Sequence, residues 1–207
     1  MKMIDKISLN KEKFITLLKS TNREGIDDVI DSLDSMGFFE APASSVNHLN
    51  VKGGLVEHSL NVYNMASKFK EKILEEKPNL AEFLPDDSII IAALLHDVCK
   101  TEIYKPTVKK RKNDLGYWEE YPGYEVDYSD FPIGHGEKSV IMLLRMGFDL
   151  TDDEIYAIRW HMTAWELAFQ SSEMKSSLNM AKKKSPLVTL IQIADGASAG
   201  IIEEDFE

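Results

Sequence analysis

The stretch Ile89–Lys100, reading IIIAALLHDVCK, limits more than any other what this chain can fold into. An uninterrupted apolar run from Ile89 to Leu95 ends on His96 and Asp97. Such a run suits a buried helix and is far too short to cross a bilayer, which takes about 20 apolar residues. A carboxylate at that place needs a partner, because an unpaired buried carboxylate loses its hydration or protonates. On a continuous helix, at about 100° per residue, His96, Asp97 and Lys100 share a face and Cys99 points largely away from it. Ala92 and Ala93, one turn earlier, leave room for another group to approach, and a metal ion fits that description. A His-Asp hydrogen bond closing a core helix is the plainer reading of the dipeptide alone, so the remaining histidines have to decide.

With 207 residues the chain is long enough for one good-sized core, and no linker divides it. An apolar fraction of 43% and a charged fraction of 29% are those of a soluble globular protein. The formal charge of −11 argues against extended nucleic acid and anionic membranes as partners, while leaving small phosphorylated ligands open. The start, MKMIDKISLNKEKF, has no signal-peptide core, and Cys99 has no second cysteine to pair with, so the expected location is cytoplasmic. Cys99 reads as a small buried apolar residue and not as a nucleophile.

Helical spacing runs over Lys11–Lys19 and Ile26–Phe38, the two forming a helical hairpin. Gly53-Gly54 opens a long helix to Lys77 with His58 in its first turn, and Asp86 or Asp87 caps the helix that carries His96. Residues 104–132 are aromatic, charged and turn-rich, and predict a hairpin or irregular insert with Asn113–Gly116 as its tip. Helical patterns resume over His135–Met146, Asp152–Phe169 and Pro186–Ala199, with Thr151 and Glu154 forming a capping box for the second. Ser171–Lys184 reads as a solvated helix face or loop, and the acidic tail after Ile202 as frayed.

Four of the five histidines, His58, His96, His135 and His161, fall in separate predicted helices. Asp195, following Leu190, Ile191 and Ile193, repeats the oddity of a carboxylate within an apolar helix. Imidazoles and carboxylates around a shared metal site would remove these anomalies together, since that donor set suits Fe, Mn, Co or Zn. His48 precedes the other four and is a weaker candidate for a further ligand.

The phrases GLVEHSL, ALLHDVCK, GHGEKS, AIRWH and IAD, in that order over residues 53–199, resemble the HD-domain superfamily of metal-dependent phosphohydrolases. That resemblance implies an all-α bundle, with residues 51–207 as the HD domain and residues 1–50 as an N-terminal helical segment packed on it. It further implies that His58, His96, Asp97 and Asp195 hold one ion and that Asp97 bridges to a second held by His135 and His161. Within the binuclear branch the phrases are similar to bacterial hydrolases of symmetrical dinucleoside tetraphosphates. The interval from Lys100 to His135 is longer than in compact members, and Met162 stands where the cyclic-dinucleotide branch has a second histidine.

The expected chemistry is hydrolysis of a nucleotide or other phosphoester or phosphoanhydride by a hydroxide bridging two divalent ions, with Asp97 assembling the site and no protein nucleophile. Lys100 would neutralise growing charge, helped by Lys52 and Arg159, and the aromatic insert would act as a lid on which Trp118 and Tyr121 stack a base. The same ligand set also occurs in mixed-valence diiron oxygenases, and a non-catalytic nucleotide-binding module is the third reading. Oxygen consumption set against phosphate release separates the first two.

Overall fold

Apolar residues spaced three and four apart fold most of this chain into helices, each burying one stripe against the next. The computed structural model describes residues 3–162 and 171–204. Among these, helices α1 (Met3–Ser20), α2 (Ile26–Ser35), α3 (Gly54–Glu76), α4 (Asp86–Leu95), α5 (Lys100–Ile103), α6 (His135–Arg145), α7 (Asp152–Trp160), α8 (Ser172–Lys184) and α9 (Pro186–Ala197) are joined by one antiparallel hairpin. The all-α expectation therefore holds, with the insert as a small β exception.

Helix α4 is the hub. Every residue from Ser88 to Leu95 is buried, which leaves it no solvent face, and α3, α7 and α9 pack around it. Burying a single Ile or Leu of this run contributes about 1.5–3 kcal/mol. Phe14 and Leu18 of α1, Val29 and Leu33 of α2, and Phe38 join the same apolar cluster as Leu55 and Ile91, so the first fifty residues share one core with the rest.

Helix α4 does not run on to Lys100. It stops at Leu95, and His96–Cys99 form turns closed by Val98 N–H donating to Leu95 O and Lys100 N–H donating to Asp97 O at 2.9 Å. Such three-residue bonds eclipse positions i and i+3, which puts Lys100 under Asp97 and Cys99 under His96. The separation of Cys99 from the His96 face, expected of a regular helix, is thereby lost. The cap of α4 differs too: Pro85 holds the cap position, no side chain caps the helix, and Asp86 pairs with Lys70 Nζ at 2.7 Å. Both first-turn aspartates still complement the helix dipole.

The capping box of α7 forms, with Thr151 Oγ1 accepting from Glu154 N and Glu154 Oε2 accepting from Thr151 N at 2.9 Å. Glu154 also takes Arg23 Nη1 and Ser88 Oγ, both at 2.8 Å, which anchors the α1–α2 connection to α4 and α7. The helix was expected to run to Phe169, but α7 stops at Trp160 and His161 and Met162 form a turn; residues 163–170 lie outside the described residues. In the insert, β1 (Tyr104–Lys112) pairs with β2 (Trp118–Val126), with Lys112 opposite Trp118 and Tyr104 opposite Val126. Asn113 closes the tip, its Oδ1 accepting from the N–H groups of Leu115 and Tyr117. No single helix among the described residues is long and apolar enough to cross a membrane.

Candidate metal centre

Side chains from four helices or their ends converge on His96 and Asp97 in the turn that follows α4. His58 comes from the second turn of α3, His135 is the first residue of α6, His161 follows α7, and Asp195 lies near the end of α9. The close approach of α6 to α7 depends on Gly136, where a Cβ would overlap the carbonyl oxygen of Arg159 and lie 2.9 Å from that of Ile158. That packing sets His135 beside His161, with ring centroids 5.4 Å apart.

Asp97 divides its carboxylate between two pairs of histidines. Oδ1 is 2.5 Å from His135 Nε2 and 3.5 Å from His161 Nε2. Oδ2 is 3.1 Å from His96 Nε2, 3.5 Å from His58 Nε2 and 2.6 Å from Lys100 Nζ. Asp195 Oδ1 lies on the second side, 3.2 Å from His58 Nε2 and 3.9 Å from that of His96. The structure thus brings together all six residues in which the sequence shows the anomaly.

The outer nitrogens of the same rings are held. His96 Nδ1 meets Ala93 O at 2.9 Å, His161 Nδ1 meets Ile158 O at 2.7 Å, and His58 Nδ1 is 3.0 Å from both oxygens of Glu203. A carbonyl only accepts, so the Nδ1 atoms of His96 and His161 carry hydrogen, which leaves Nε2 as the nitrogen whose lone pair can serve as a metal ligand. Among the described residues the buried Nε2 atoms of His58, His96 and His161 have no hydrogen-bond partner. Orphaned inward nitrogens beside two carboxylates, with their outer nitrogens pinned, fit divalent transition-metal ions in two groups that share Asp97.

The charges agree with a site built for cations. Burial opposes ionisation of Asp97, yet Lys100 and the histidines hold its carboxyl well below the usual range. Lys100 is buried, and Asp97 beside it outweighs that burial and raises its pKa. Burial likewise opposes charge on His58, but Asp195 and Glu203 push it up to about 9. His135 is raised well above its ordinary value against burial, by Cys99 and Asp97. His96, by contrast, is lowered by burial.

Two partners of these rings were not legible in the sequence. Glu203, expected in a frayed tail, has its side chain buried, holds His58 Nδ1 and accepts from Asn61 Nδ2 at 3.0 Å. Nothing local separates it from Glu204; a π-helical turn over Ser198–Ile202 swings it inward. Cys99 Sγ lies 3.5 Å from His135 Nδ1, so the thiol borders the site it was expected to avoid. His48 also approaches, its ring 5.2 Å from that of His58 and its Nε2 3.9 Å from Glu203. A third ion among His48, His58 and Glu203 would have to take His58 Nδ1, which already faces Glu203 while Nε2 faces the shared centre.

Four side chains expected at the substrate end stand elsewhere. Lys52 pairs with Glu40 at 3.0 Å on a separate surface cleft, and Arg159 pairs with Glu137 and lies over Trp160. Arg159 is carried on the far side of α7 from His161, as two residues on a helix must be. Trp118, 69% exposed, lies beside Lys112 at the far end of the hairpin, and Tyr121 stacks against Arg111. Neither lines the cavity of about 800 Å³ in front of the histidines. The rings that do line it are Tyr104 and Tyr128, at the base of the insert, together with Lys100.

The model of the HD-domain family matches residues 55–200, which contain all six converging residues. Dihydroneopterin 2',3'-cyclic phosphate phosphodiesterase of Methanocaldococcus jannaschii is 33% identical over 135 residues, covering 59% of this chain and 49% of that protein. The matched part thus spans about half the length of that relative. No solved structure matches the chain significantly.

Proposed function

This chain belongs to the HD-domain family, and on that premise we propose that it is a metal-dependent hydrolase of small phosphoesters or phosphoanhydrides. The observation that carries the proposal is the division of the Asp97 carboxylate, one oxygen toward His135 and His161 and the other toward His58 and His96. In this reading His58, His96, Asp97 and Asp195 hold one divalent ion, and Asp97, His135 and His161 hold a second. When bound, such ions supply positive charge for phosphate oxygens and an acidified water as nucleophile.

The chain's own residues set the rest. The carbonyls of Ala93 and Ile158 and the carboxylate of Glu203 orient three imidazoles, so that little reorganisation is needed at the reacting centre. Lys100 keeps its proton and offers Nζ to a phosphate oxygen on the cavity side, stabilising charge that grows toward the transition state. Residues 51–207 form the catalytic unit, and residues 1–50 complete the wall of its cavity through Ser44 and His48. The cavity is far larger than a phosphate, which supports an ester with a sizeable organic part, of the nucleotide or pterin class to which the relative's substrate belongs.

The test loads the purified chain with Mn²⁺, Fe²⁺, Co²⁺ or Zn²⁺ and offers nucleoside 2',3'-cyclic phosphates and symmetrical dinucleoside tetraphosphates. Phosphoester products and oxygen uptake are followed together. Hydrolysis of either class, lost with Asp97→Ala, is the expected result. A chain that binds metal yet cleaves neither class with any of the four ions overturns the proposal.

A further inference from the structure

Part of the cavity wall, beside His58, comes from Ala43, Ser44, Asn47 and His48, which lie before the family-matched region. Two of its polar atoms are anomalous. Ser44 Oγ is buried, and neither it nor His48 Nε2 has a hydrogen-bond partner among the described residues, although both side chains line the cavity. Buried polar atoms are left unpaired at a cost, so a pair of them on one cavity wall points to a ligand that completes them.

The loop that carries them is held in place on three sides. Ala43 N–H donates to Leu49 O at 3.1 Å, and Leu55 N–H donates to Ala41 O at 2.9 Å. Leu49 sits at φ +46°, a left-handed conformation that a leucine adopts only when its surroundings impose it. Gly54 must lack a side chain there, because a Cβ would overlap the Leu49 carbonyl oxygen and lie 3.1 Å from Ala43 N. From the insert, Lys109 Nζ donates to Ser45 O at 2.7 Å. The backbone strain next to His48 is therefore maintained by specific contacts, which is how binding residues are positioned.

We propose that Ser44, Asn47 and His48 bind the organic part of the ester and select there a polar heterocycle, with Tyr104 and Tyr128 flanking it. The proposal rests on the hydrolase reading for the placement of the phosphate, which faces Asp97 and Lys100 across the same cavity. A hydroxyl, a carboxamide and an imidazole together match the alternating donors and acceptors on the edge of a purine or pterin, and the tyrosine rings offer apolar faces. An apolar leaving group of the same size would leave Ser44 Oγ and His48 Nε2, the latter 3.9 Å from Glu203 Oε2, without a hydrogen bond. Discrimination of this kind, by polar groups that the wrong ligand strands, exceeds what shape alone achieves.

The test is equilibrium binding to the full metal-loaded chain of guanosine 3'-monophosphate, phenyl phosphate and ribose 5-phosphate, followed by calorimetry. The wild type is expected to prefer guanosine 3'-monophosphate at least about tenfold over each of the others. Ser44→Ala and His48→Leu should each reduce that preference by roughly tenfold, a ratio that a merely structural loss would not move. Asn47→Ala, at an exposed position of the loop, gives a further reading should either buried variant fail to fold. A wild type without preference, or variants that weaken all three ligands equally, overturns the proposal. A chain that binds with the expected preference but hydrolyses nothing overturns the hydrolase reading alone and leaves the binding wall supported.

Discussion

Asp97 is the residue through which both halves of the centre communicate, because each of its oxygens faces a different pair of imidazoles. Asp97→Ala should therefore abolish metal binding at both positions, read by metal analysis after dialysis. Lys100→Ala should retain the metal and lose about 10²-fold in turnover if, as proposed, Lys100 contributes charge and not assembly. A Lys100→Ala chain with unchanged turnover would remove it from the mechanism. The histidines make a separate prediction about pH. In the metal-free chain burial disfavours a charged His58, but Asp195 and Glu203 outweigh it and its pKa is about 9. That proton must leave before Nε2 can take an ion. Metal affinity should then climb as pH rises toward 9 and level above it, by up to roughly tenfold per pH unit for each proton displaced. His135, also raised, adds a second proton. Calorimetry in buffers of different ionisation enthalpy counts the protons released, and an affinity independent of pH between 7 and 9 would contradict the assignment.

At the scale of elements, the helices bearing His58 and His135 and the helix that leads to His161 were legible because a 3.6-residue apolar period and, for α7, a capping box are local properties of sequence. The break after Leu95 was not, since IIIAALLHDVCK carries no glycine or proline to mark it; three-residue backbone bonds replace the helix and bring Cys99 to His135. Glu203 was hidden for the opposite reason, its role being decided 145 residues away at His58. The lid reading of residues 104–132 singled out Trp118 and Tyr121 on the outer half of the hairpin, whereas the register places the base of the strands, Tyr104, at the cavity. Helix-to-helix distance is likewise a tertiary matter, and Gly136 makes it testable. Gly136→Ala pushes α6 from α7 and should cost about 1–3 kcal/mol in stability by overpacking. Because His135 and His161 sit at that contact, the variant should also weaken the ion proposed for them more than the one proposed for His58 and His96, which stepwise metal titration resolves.

Across the whole molecule, the apolar core and the polar centre are separable. One cluster runs from Phe14 and Leu18 through Leu55 and Ile91 to Leu190 and Ile191, so burial sufficient for folding does not pass through the histidines. The centre in turn is filled by its own ion pairs, with Lys100 on Asp97 and His58 between Asp195 and Glu203. A chain built this way differs from small metal-folded modules, which unfold when chelated. Removing metal should leave the helical circular-dichroism signal and a cooperative transition, at a lower midpoint. An ion that binds only the folded state stabilises it by about 2.7 kcal/mol at one hundred times its dissociation constant. For a domain of this length each kcal/mol moves the midpoint by about 2–4 °C, so saturation should raise it by about 5–10 °C. Asp97→Ala should lose that increment while still melting cooperatively. A chelated chain that shows no transition would mean that the core cannot stand without the centre.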